Sequence, residues 1–143
     1  MLEEAWERVK RNKGAAGVDG LTLEALEQYG IPKLLSELRD ELQAGTYRAP
    51  PVLRRYIPKP DGKQRPLGIP TVKDRIVQTA LKMVIEPVFE CQFAPQSYGF
   101  RPGRGCKDAL RQVDELLEAE RLHVVEVDIK GDVFGGDLTK DIE

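Results

Sequence analysis

The chain has 143 residues and a mass of 16.1 kDa, with 41% hydrophobic and 32% charged residues. That is one domain's length, and the composition excludes a disordered chain, a collagen and a bilayer span. The net charge of −2 and pI near 5.6 argue, taken whole, against a nucleic-acid binder.

Leu2, Ala5, Trp6 and Val9 recur at helical spacing, so residues 2–12 read as a short amphipathic helix. Gly14, Gly17 and Gly20 punctuate the loop that follows. Thr22 caps a second helix running to about Tyr29, with Glu24 in its first turn. Ile31, Leu34, Leu35, Leu38 and Leu42 form another apolar stripe, with Pro32 suited to its first turn and Gly45 to its stop.

After an extended link at 47–51, Val52–Ile57 reads as a strand. Pro60-Asp61-Gly62 is a turn, because proline fixes φ and glycine accepts positive φ. Gln64–Ile69 is the return strand. Pro66 lacks a backbone donor, so that strand should lie at an edge or carry a bulge. The product is a basic β-hairpin with Lys59, Lys63 and Arg65 near its tip.

Thr71 and Asp74 resemble a capping box at the start of a strongly periodic helix through Val88, which Pro87 should kink or end. Residues 94–105 are a loop rich in glycine and proline. Cys106, Ala109, Leu110, Val113, Leu116 and Leu117 define a further helix. The β-branched run at 123–129 reads as a strand, with Asp128 near its end and an acidic, glycine-rich loop after it. Cys91 and Cys106 lack metal-ligand spacing and read as free thiols, and His123 reads as structural. The acidic N-terminus does not resemble a signal peptide, so the expected location is cytoplasmic, away from membranes.

The net charge hides three unlike segments. Residues 1–47 hold 6 basic and 9 acidic residues, residues 48–111 hold 13 and 5, and residues 112–143 hold 3 and 10. The balances are −3, +8 and −7, and such asymmetry fits a polyanionic partner or simply solvated faces.

Lys59, Lys63 and Arg65 on a protruding turn suit a triphosphate or a nucleic-acid backbone; the alternative is solubility charge. Tyr98 and Phe100, followed by Arg101 and Arg104, suit base stacking and phosphate contact. For the two rings the favoured reading is a buried aromatic pair pinning the loop, and for the two arginines it is nucleic acid. Asp128 suits a Mg2+ ligand or an ordinary strand-end aspartate.

Residues 55–78, RYIPKPDGKQRPLGIPTVKDRIVQ, resemble the first block of group II intron reverse transcriptases, and 97–105, SYGFRPGRG, the second. Gly17-Val18-Asp19-Gly20 resembles the family's N-terminal extension. The Val-Val-x-Val-Asp-Ile-Lys-Gly run at 124–131 resembles the third block. Order and spacing match over residues 5–131.

The resemblance implies an α+β fold: the mainly helical fingers of a right-hand polymerase, with the basic hairpin and one palm strand. It places the N-terminal extension and fingers at 1–121, the start of the palm at 122–131, and an atypical tail at 132–143. Lys59 and Arg65 match triphosphate-binding positions, and Asp128 matches the first metal-binding catalytic aspartate. Arg54, Arg55, Arg75, Arg101 and Arg104 are expected on RNA. The implied cofactor is Mg2+, and the implied partners are intron or template RNA, a DNA primer and dNTP.

The chain lacks the family's Tyr-Ala-Asp-Asp motif, and Asp132 and Val133 stand where aromatics are usual. One aspartate does not hold two metal ions, so a fingers fragment inactive as a polymerase is expected. The alternatives are a stand-alone RNA-binding, maturase-like module and a self-associating fragment, a homo-oligomer.

Overall fold

A computed structural model describes residues 1–58, 60, 62, 64–125 and 127. Five α-helices and one antiparallel β-hairpin make up the described architecture, a mixed α+β arrangement. The chain divides into two compact units, Met1–Phe93 and Ala94–Glu143. This boundary precedes the glycine-rich loop.

The first unit contains α1 (Leu2–Arg11), α2 (Leu23–Tyr29), α3 (Ile31–Gln43), β1 (Leu53–Pro58), β2 (Gln64–Ile69) and α4 (Val72–Glu90). Its core joins Ala5, Trp6 and Val9 of α1 to Leu26 of α2, Leu34, Leu35 and Leu38 of α3, and Val72, Ile76 and Ala80 of α4. Ala5, Trp6, Val9, Leu34, Leu35 and Leu38 lie on the stripes expected from helical periodicity, whereas Leu42 of the α3 stripe is exposed. Each fully buried aliphatic side chain contributes about 1.5–3 kcal/mol.

The caps also follow the sequence. The Thr22 hydroxyl accepts from the Ala25 N–H at 3.2 Å, and the Thr71 hydroxyl from the Asp74 N–H at 3.2 Å. Gly45 takes φ +65° just beyond α3, the left-handed conformation suited to a helix stop.

Three expectations change. Helix α4 does not end at Pro87, one of the two outcomes expected there, but runs on to Glu90. Proline removes one ladder hydrogen bond there, in the last turn, and the remaining residues still propagate the helix. Residues 123–125 and 127 are not in a strand, and Val124, Val125 and Val127 are 84–86% exposed. A strand needs a partner for its N–H and C=O groups, and this segment pairs with none of the described residues. His123, expected to be structural, is exposed.

The second unit contains α5 (Cys106–Glu118). Its N-terminus is tied by Asp108, whose carboxylate accepts the Gly105 N–H at 2.9 Å.

Candidate nucleic-acid interface

The hairpin pairs Leu53 with Ile69, Arg55 with Leu67 and Ile57 with Arg65, and between them Arg54 with Gly68, Tyr56 with Pro66 and Pro58 with Gln64. Side chains alternate along a strand, so this register sorts them into two faces. Arg55 and Arg65 share one face as diagonal neighbours, framed by Ile57 and Leu67. Arg54 and Tyr56 stand on the other. The contact at Gly68 confirms the sorting: a β-carbon there would come within 2.9 Å of Val52, which alternation puts on the Arg54 face. Both faces are almost wholly exposed, with only Leu53 and Ile69 half-buried. Pro66 sits in a two-stranded ribbon, where each strand is an edge, as its missing donor requires. Lys59, Lys63 and Asp128 lie outside the described residues.

The Thr71–Gln78 stretch turns out to be mostly internal framework. Asp74, 5% exposed, accepts from the Tyr47 hydroxyl at 2.8 Å and from Gln78 Nε2 at 2.6 Å. Burial first, and the Asp74 hydrogen bond second, raise the Tyr47 hydroxyl well above its ordinary value. Lys73 pairs with Glu41 on α3 at 2.7 Å. The capping box is therefore only half formed, since Asp74 answers Tyr47 and Gln78.

Arg75 donates to the Ala15 carbonyl, and its guanidinium fills the space where a Gly14 side chain would stand. Its buried Nε has no partner among the described residues. Arg75 also lines a groove of about 380 Å3 with Val9, Asn12, Gln78, Thr79 and Lys82. Gly17 lies against the Thr71 backbone, where a β-carbon would come within 2.6 Å. The Leu21 N–H is held by the Asp19 carboxylate at 3.2 Å. The Gly-Val-Asp-Gly loop is thus shaped by its seat on the start of α4.

In the second unit, Arg101 Nη1 donates to the carbonyls of Ala94 and Ser97, both at 3.0 Å. Arg104 donates to the Pro95 carbonyl and stacks its guanidinium over Tyr98, 5.6 Å from the ring centroid. These two arginines clamp their own loop. The expectation of a buried aromatic pair does not hold: Phe100 is fully exposed at φ +56°, and only Tyr98 is half-buried. A ring two residues from its neighbour does not share its burial when the backbone turns left-handed between solvent and loop.

Among the described residues, no three His, Cys, Asp or Glu side chains converge as metal ligands, and no helix is long and apolar enough to cross a membrane. Sequence reasoning missed the Tyr47–Asp74 contact and the separation of Arg54 from Arg55. The second was available from strand alternation alone.

Residues 57–134 match the family model described as "Reverse transcriptase (RNA-dependent DNA polymerase)". The chain is 48% identical over 114 residues to Protein YkfC of Escherichia coli K12, covering 78% of this chain and 30% of that protein. It is 38% identical over 130 residues to the group II intron-encoded protein LtrA of Lactococcus lactis, covering 89% of this chain and 21% of that protein. A putative COX1/OXI3 intron 1 protein of Saccharomyces cerevisiae is 32% identical over 130 residues, or 91% of this chain and 15% of its own length. The chain therefore spans under a third of the length of each of these relatives.

Proposed function

Because the chain belongs to the reverse transcriptase family, among the group II intron reverse transcriptases and maturases, we propose that it forms the fingers of an RNA-directed DNA polymerase and handles RNA and the incoming nucleotide. The observation that carries this reading is the hairpin register, which sets Arg55 and Arg65 side by side on one exposed face. Arginine grips two phosphate oxygens in a plane, and two such forks on one face of the ribbon suit a triphosphate or a nucleic-acid backbone.

In this reading Lys59, Lys63 and Arg65 hold the triphosphate, and Arg54, Arg55, Arg75, Arg101 and Arg104 supply charge to RNA. Residues 1–121 serve as N-terminal extension and fingers, and 122–131 as the start of the palm. The family's cofactor is Mg2+, which stabilises charge on the transferring phosphoryl group. Asp128 is the residue matched to that ion. Asp128 lies outside the described residues, so its part in holding the ion rests on the family match alone.

The test is a binding assay at low salt with single-stranded RNA, alongside primer extension with Mg2+ and dNTPs. RNA should bind, Arg55→Gln should weaken it severalfold, and primer extension should be absent from this chain alone. Robust extension, or no RNA binding, sinks the reading.

One observation favours self-association as a second reading. Leu81, Val84, Ile85, Val88 and Phe89 form an exposed stripe along the second half of α4. Light scattering over a dilution series should then show a mass that rises with concentration.

A further inference from the structure

We infer that the hairpin face carrying Arg54 and Tyr56 is a stacking platform for single-stranded RNA, separate from the Arg55–Arg65 face. The inference rests on the RNA-handling reading above and adds a second RNA surface to it.

Three observations converge on this face. Tyr56 projects from the middle of β1 and is 57% exposed, although aromatic rings favour burial. Its cross-strand partner is Pro66, and Arg54 faces Gly68, so the partner strand raises no tall side chain beside either. Gln64 adds an amide donor and acceptor at the far end. Among the described residues that the register pairs, no carboxylate stands on this face. An aromatic ring beside an arginine, on a low wall, matches what a single strand presents. Its unstacked bases offer π-faces, and its phosphates offer charge. A duplex hides its base faces, so the platform selects single strands. Tyrosine and arginine also anchor protein interfaces. The +8 balance of residues 48–111 favours the polyanion.

Tyr56 and Arg54 are two residues apart on one strand, so their positions are about 7 Å from each other. A base on the ring and the charge of a nearby phosphate can therefore be met together.

The experiment uses fluorescence anisotropy with two probes, a labelled oligouridylate and an abasic oligomer with the same number of phosphates. Tyr56→Val keeps a strong strand former and removes the ring, Tyr56→Phe keeps the ring, and Arg54→Gln removes the charge. Tyr56→Val should weaken oligouridylate binding about tenfold, the loss of one stacked base, and leave the abasic oligomer unchanged. Tyr56→Phe should bind both probes as the parent chain does. Arg54→Gln should weaken both probes. Retained abasic binding reports an intact hairpin.

The platform is overturned if Tyr56→Val binds oligouridylate like the parent chain, or weakens both probes equally. It is also overturned if Tyr56→Phe behaves like Tyr56→Val. If the parent chain binds neither probe, the RNA-handling reading fails as a whole. That outcome is distinct from parent binding that ignores Tyr56.

Discussion

Gly17 has no room for a side chain, because a β-carbon would come within 2.7 Å of both the Thr71 nitrogen and Cα. Backbone cannot swing aside as a flexible side chain does. Gly17→Ala should therefore destabilise the first unit by about 1–3 kcal/mol, the usual cost of overpacking, read as a lower urea midpoint by circular dichroism. Tyr47 makes a second prediction at this scale. Its hydroxyl stays protonated in the folded chain above the ordinary tyrosine value of 10.0, for reasons of burial and then Asp74. The unfolded chain loses that proton first as pH rises past about 10. The stabilisation is thus complete below pH 10 and declines above it. Tyr47→Phe should lower stability at pH 8 by about 1–2 kcal/mol, since nearly buried Asp74 loses a donor. The same variant should lose less stability than the parent between pH 9 and 11. Glycine spacing in the sequence marked the 13–20 loop, but the Gly17 contact joins residues far apart in the chain, and no local pattern encodes it.

Periodicity carried most of the elements. Helices α1 to α5 and both strands of the hairpin follow from spacing, capping residues and turn chemistry, because each of those signals is local. The 123–129 run shows where local signals stop. Its β-branched residues favour an extended strand, yet a strand is a property of two segments, and Val124 and Val125 find no partner among the described residues. The hairpin was legible as an element but not as a site. Arg54 and Arg55 are both expected on RNA from the resemblance, and the register puts them on opposite faces. The start of α4 gives the element-scale prediction. Thr71 is 1% exposed and caps the helix that carries Val72, Ile76 and Ala80 into the core. Thr71→Ala should cost about 1 kcal/mol or more from the lost cap. Thr71→Ser, which keeps the oxygen, should recover most of it. Equal losses in the two variants would assign the effect to methyl packing. Thermal unfolding of all three proteins decides between them.

For the whole molecule, charge is the feature with the longest reach. The first 47 residues balance to −3 and the next 64 to +8, so an approaching polyanion meets attraction and repulsion on one chain. Binding should therefore be oriented as well as salt-sensitive. Each phosphate neutralised on a single strand contributes about 0.7 to the slope of log affinity against log salt. If Arg54 and Arg55 each neutralise one phosphate, Arg54→Gln with Arg55→Gln should flatten that slope by about 1.4. Adding charge to the acidic part, as in Glu3→Lys with Glu7→Lys on α1, makes the decisive comparison. Orientation requires the mutated helix to lie outside the RNA path, so the slope should rise by well under 1.4 while affinity improves only slightly. A full compensating rise would mean that RNA samples the whole surface and that net charge alone governs binding. In that case the segregation of charge would have no function, and the hairpin would lose its standing as the interface.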